Sequence, residues 1–393
     1  MSKTKLIPFT VAGGFLLLLF FFYNHLDNNP DLDPGLPFAL VCGALFGIAL
    51  QRSRFCFFCI LKDFFVGKDG RPLVGILTSL VVGSIGYLVI FQSWVSDPTA
   101  GYIPLEAHIG PVSWHLVVGG LLFGWGMVLS GSCISAHFYR LGEGSMLSPI
   151  ALVGAVVGFM LAMASWNTLY TWTVADASVL WIPAELGYGW TTLLQVSILL
   201  AGIVWLLIRF TPNESDDIPA KSTEQPSLSL IWQKVAVDRW PTWVGGVAVG
   251  LISVAYFFRV EPLGVTAEIN RLARLSGWSG LPERLEGMDG LAGCTPNLGP
   301  ELWTTNGVFI LSLVLGAVIS GQLAGQFKPK MPTLAGSLKS FIGGILLGFG
   351  AMISLGCTIG VTLSGIHGFA ISGWIFTVAM ALGVWSGLKL QQS

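Results

Sequence analysis

The chain has 393 residues, of which 53% are hydrophobic and only 10% charged, with a formal net charge of −1. Soluble domains carry about 25% charged residues, so a water-soluble globular protein is excluded, and the near-neutral balance leaves no basic footprint for nucleic acid. The apolar runs approach the length of a bilayer crossing and do not alternate with period two, so they read as spanning helices and not as barrel strands.

In chain order, ten spans are predicted, at 6–23, 36–51, 72–95, 115–131, 148–166, 189–210, 241–258, 303–326, 338–355 and 369–388. The first follows MSKTK and has no small-residue cleavage site after it, so it reads as an uncleaved helix. Three stretches behind apolar helices, 52–66, 133–147 and 357–368, are too short or too polar to span. They are expected to be re-entrant half-helices, which survive at membrane depth only where they are buried in protein or line a cavity.

One peptide occurs twice. Residues 119–133 read GGLLFGWGMVLSGSC and residues 343–357 read GGILLGFGAMISLGC. Gly119, Gly120, Gly124, Gly126, Ser130 and Cys133 thus recur as Gly343, Gly344, Gly348, Gly350, Ser354 and Cys357. Small residues four apart let helix backbones approach closely in lipid, and most of the 50 glycines are expected to serve packing of this kind.

Basic residues set the orientation. Arg52, Arg54, Lys62, Lys68 and Arg71 lie between spans two and three, Arg140 follows span four, and Lys328, Lys330 and Lys339 lie between spans eight and nine. Loops 96–114 and 167–188 carry no Lys or Arg. Both termini are therefore expected in the cytoplasm. With that parity the two copies of the repeated peptide run in opposite directions.

The expected fold is an all-α polytopic membrane protein, an inverted-repeat helical bundle with re-entrant half-helices. Its expected parts are an N-terminal spanning helix and outer loop (1–35), a first membrane repeat (36–210), a cytoplasmic linker (211–240) and a second membrane repeat (241–393). Transporters of this design hold their solute at the repeat interface, on the ends of broken helices.

Of the six cysteines, Cys42 sits mid-span and reads as a small packed hydrophobe. Cys133 and Cys357 follow the matched helices at their breaks, where exposed N–H groups favour an anion. Cys56 and Cys59 form C-F-F-C. No second metal-spaced pair accompanies them, so a zinc site is not expected, and Cys56 resembles Cys133 in setting. Arg52 and Arg54 are either interfacial anchors or attract an anion toward Cys56. His137, Arg140, Glu143 and His367 read as surface or interfacial residues. No Ser-His-Asp arrangement, paired carboxylate site or P-loop is present, so no enzymatic activity, cofactor or ATP-driven step is expected.

The series GALFGIALQRSRFCFFC, GGLLFGWGMVLSGSC with FYRLGEGS, EPLGVT and GGILLGFGAMISLGC resembles the YeeE/YedE family of sulfur transporters, from about residue 36 to 388. The resemblance implies an inner (plasma) membrane protein that imports a small sulfur-containing anion, thiosulfate or a selenium species, along a narrow path lined by Cys56, Cys133 and Cys357. It also implies a small cytoplasmic sulfur-carrier protein as partner. Two other readings of the residues compete. One is a membrane thiol–disulfide oxidoreductase working through Cys56/Cys59 and Cys294/Cys357. The other is an accessory membrane subunit that docks the carrier.

Overall fold

A computed structural model describes residues 3–104, 107–210, 232–287 and 303–392. Cys294 and most of the 211–240 linker lie outside the described residues. Ten helical segments among those described are long and apolar enough to cross a membrane, and they coincide with the ten predicted spans to within a few residues at most ends. The protein is a multi-pass helical membrane protein.

The helices are α1 (Lys3–Asp27), α2 (Leu36–Ser53), α3 (Phe57–Phe65), α4 (Arg71–Trp94), α5 (Trp114–Ser130), α6 (Ile134–Leu141) and α7 (Leu147–Thr173). They continue with α8 (Ile182–Arg209), α9 (Thr242–Arg259), α10 (Ala267–Leu275), α11 (Thr305–Leu323), α12 (Leu334–Ile353), the π-wound α13 (Thr358–Gly365) and α14 (Ile371–Gln392). Three of the short helices, α3, α6 and α13, fall in the stretches predicted to be half-helical. The fourth, α10, lies in the polar loop between spans seven and eight, where no helix was predicted.

Helix contacts come in matched pairs. α2 packs on α11 as α9 packs on α4, and α5 packs on α14 as α12 packs on α7. Likewise α3 touches α14 where α10 touches α7. At the centre α5 lies against α12, and α2 against α9.

Glycine makes the central contact. A Cβ on Gly126 would stand 2.7 Å from Leu347 N and 2.8 Å from Gly343 O, and one on Gly350 would stand 2.7 Å from Gly119 O. Gly119 thus meets Gly350 while Gly126 meets Gly343, so α5 and α12 run antiparallel and each copy of the repeated peptide presents the same glycines to the other. Lipid supplies no hydrophobic drive to press two helices together, so this close backbone approach carries the association through van der Waals contact.

The basic loops gather on one face. Trp240 N donates to Arg52 O (3.0 Å), Gly70 N to Phe210 O (3.0 Å) and Lys328 N to Glu143 O (3.0 Å). Gln51 Nε2 reaches both Glu143 Oε1 (3.3 Å) and Gln326 Oε1 (2.7 Å). On the opposite face Val112 N donates to Ser178 O (2.9 Å) and Ile371 N to Leu180 O (3.2 Å).

Candidate functional site

Four chain reversals build the site, each placing one residue at the start of a short helix. α2 stops because Arg54 turns left-handed (φ 51), and Cys56, extended at φ −129 and ψ 117, becomes the N-cap of α3. α5 stops at Gly131 (φ 80), and Cys133, extended at φ −79 and ψ 169, becomes the N-cap of α6. α12 is followed by the left-handed Leu355 (φ 60), and Cys357, again extended, caps α13. The fourth reversal, after α9, leads to Thr266 at the N-cap of α10. N-caps normally carry a side-chain oxygen that satisfies a free N–H. None of the four makes such an oxygen-type cap bond; the sulfurs of Cys56, Cys133 and Cys357 instead turn toward the N–H three residues on, at Cys59, Ala136 and Gly360, and the cap side chains also face one another.

They do so in two groups. The first contains Cys56, Cys133 and Cys59, with the Cys56 thiol in hydrogen-bonding reach of the other two. Cys56 and Cys133 are fully buried, whereas Cys59, one turn into α3, is partly exposed. Cys133 Sγ lies 3.3 Å from Ser135 Oγ. In the second group the Cys357 sulfur faces the backbone N–H groups of Gly360, Ile359 and Val265 and the hydroxyl of Thr266. Beside it Asn270 Nδ2 points at Met352 Sδ (3.8 Å). The imidazole of His108 covers the Cys357 turn: a Cβ on Gly356 would stand 2.7 Å from its Nε2.

The two groups are separate clusters. Gly119 of α5 is level with Ser354, just before Cys357. Cys133 lies about four turns further along α5, so the thiols stand on the order of 20 Å apart along the helix axis. The first cluster is toward the basic face and the second toward the opposite face.

Arg52 and Arg54, the cations singled out in the sequence, do not join the thiols. The Arg52 side chain is buried and donates to Asp238 O, just ahead of α9, and Arg54 is exposed. The cation against the thiols is Arg140. Its Nη2 donates to Cys59 Sγ (3.2 Å) and its Nη1 to Gly131 O (3.1 Å), which caps the end of α5.

The expectation that His137 and His367 are surface or interfacial residues is corrected, because both are buried, whereas Arg140 and Glu143 are partly exposed on the basic face. α6 carries His137 inward, and the turn after α13 does the same for His367. His137 Nδ1 meets Ser148 Oγ (3.3 Å) in the interior. His367 is enclosed between Ser253 Oγ (3.2 Å) and Ser79 O (3.1 Å). Glu143, in the loop after α6, is half-buried, and that burial raises its carboxyl pKa. The five described cysteines are free thiols, Cys42 packed within α2 among them.

Sequence inspection passed over Thr266 because it is not a cysteine, and Arg140 because its partner, Cys59, is 81 residues distant. The available signal was positional: EPLGVT precedes α10 as RSRFC precedes α3.

Comparison with known proteins supplies the family. The chain is 29% identical over 360 residues to the thiosulfate transporter TsuA of Escherichia coli, covering 88% of this chain and 92% of that one. It is 27% identical over 367 residues to the thiosulfate transporter TsuA of Spirochaeta thermophila, covering 88% and 96% respectively. A shorter match, 29% over 135 residues, covers 34% of this chain and 31% of the probable transporter YedE of Salmonella typhimurium. The sulphur transport family model matches residues 52–386. With that match over most of its length, and with relatives named as transporters, this chain is a transport protein and not an enzyme, and it belongs to the sulphur transport family.

Proposed function

We propose that the protein imports thiosulfate, or a closely related sulfur anion, along a path whose stations are Cys56 with Cys133 and Cys357 with Thr266. The supporting observation is that all four of these side chains occupy the same position, the N-cap of a short helix, where each of the three sulfurs meets N–H groups of the helix start together with a second thiol or hydroxyl. A dianion in hydrocarbon is very costly unless it is compensated. Helix N-termini supply partial positive charge without a fixed counter-ion. Thiols add weak donors matched to sulfur, each worth a fraction of a hydrogen bond. Contacts of this strength let a solute leave each station as readily as it enters.

In this reading residues 36–210 and 241–393 are two inverted halves related about the α5–α12 contact, the basic face is cytoplasmic, and the membrane is the inner (plasma) membrane. The two relatives that align along nearly their whole length are both named as thiosulfate transporters, which favours thiosulfate over a selenium species.

The test is uptake of 35S-labelled thiosulfate into proteoliposomes with unlabelled competitors. The expected result is saturable uptake that excess thiosulfate blocks and that equal sulfate does not. Uptake no faster than in protein-free vesicles would sink the reading. Within it, Thr266→Val removes one hydroxyl from the Cys357 station. Losing a neutral hydrogen-bonding group of about 1 kcal/mol should slow initial uptake about fivefold; an unchanged rate would remove Thr266 from the path.

A further inference from the structure

The guanidinium of Arg140 is a partly buried cation with no carboxylate at ion-pair distance. Two ion pairs occur among the described residues, Arg71–Asp69 and Arg271–Glu268, and Arg140 is in neither. Glu143, three residues on, turns its carboxylate to Gln51 Nε2 instead (3.3 Å). An interior charge with no opposite charge is strongly disfavoured. What touches this one is a carbonyl, a thiol and the Tyr139 side chain, with Gly131 O at 3.1 Å and Cys59 Sγ at 3.2 Å, while the Glu143 carboxylate acts on it only from further off. Cys59 is also the one member of the first thiol group that is partly exposed, next to the buried Cys56.

We propose that Arg140 and Cys59 form an anion-binding station at the basic-face end of the thiol row, holding the sulfur anion between the buried Cys56–Cys133 pair and water. The proposal rests on the sulfur-anion reading above. The chemistry of the pair suits an ion with two unlike ends. A planar guanidinium fork matches the oxygens of a sulfonate group, and the adjacent thiol matches a terminal sulfur. The anion supplies a countercharge at contact distance, and its departure to water is eased because both Cys59 and Arg140 are partly exposed.

A purely structural role for Arg140, capping α5 through Gly131, makes the opposite prediction at Cys59, and one substitution separates the two. Cys59→Asp places a fixed carboxylate against the guanidinium. It leaves the Gly131 contact in place, completes an ion pair and occupies the anion's position. The expected outcome is a KM for 35S-thiosulfate uptake in proteoliposomes at least tenfold above wild type. Arg140→Gln should raise KM at least tenfold as well, and should remove the rise in thermal midpoint that thiosulfate gives the wild-type protein in detergent. If Arg140→Gln does not fold, Cys59→Asp decides alone. Wild-type KM in Cys59→Asp would overturn the station while leaving the transport reading intact. No uptake by the wild-type protein would overturn both.

Discussion

Gly126→Leu and Gly350→Leu are each expected to prevent assembly of the bundle, so that little monodisperse protein is recovered in detergent. The α5–α12 contact is backbone against backbone, with the missing Cβ of Gly126 already 2.7 Å from Leu347 N. Overpacking by single methylenes costs about 1–3 kcal/mol where side chains can shift. Here the obstruction is main chain in a helix, which can yield only by separating the helices. That separation would disturb both stations together, since α5 leads to Cys133 and α12 to Cys357. Gly13 in α1 is the control, because a Cβ there meets nothing within 4 Å; Gly13→Leu should elute and melt like wild type. A Gly126→Leu protein that does the same would show that the central pair is not close-packed.

The second large effect is expected at the thiols. Cys133→Ser and Cys56→Ser should each lower the initial rate of thiosulfate uptake at least tenfold, about 1.4 kcal/mol on the barrier, and Cys357→Ser should do likewise. Serine keeps a donor of nearly the same shape, so the buried pair still packs. A hydroxyl, however, holds water and oxyanions more firmly than it holds sulfur, and a path built on weak contacts fails when one contact becomes a trap. Cys42→Ala should transport within twofold of wild type, because Cys42 packs in the middle of α2 away from every helix break. Equal loss in Cys42→Ala would mean that cysteine removal acts through packing and not through the path. Comparable rates in Cys133→Ser and wild type would remove that thiol from the route.

Much of this architecture is written in local sequence. The ten spans are legible because lipid demands about 20 apolar residues from each helix. Three of the four short helices are legible because a cysteine and a change of polarity mark where each long helix stops. The fourth, Ala267–Leu275, escaped because AEINRLARL reads as a polar outer loop and threonine, not cysteine, precedes it. The site was half legible for a related reason. Cys56, Cys133 and Cys357 announce themselves by position, and their N-cap geometry follows from the breaks. Which thiols meet does not follow: Cys56 and Cys133 are 77 residues apart in a chain whose folding back brings α3 to α6. The same folding turns Arg140 inward and leaves Arg52 bound to Asp238 O. A charge next to a cysteine in sequence proved to fasten α2 to the segment ahead of α9, and a charge seven residues beyond Cys133 proved to face the thiols.

The central claim is that the paired thiols and the Cys357 turn are occupied in turn by one sulfur anion. It is tested most directly by an anomalous-scattering map of crystals soaked in selenosulfate, in which selenium replaces the terminal sulfur. The account predicts selenium peaks against the Cys56–Cys133 pair and against the Cys357–Thr266 turn. Selenium bound elsewhere, with neither position occupied, would contradict it.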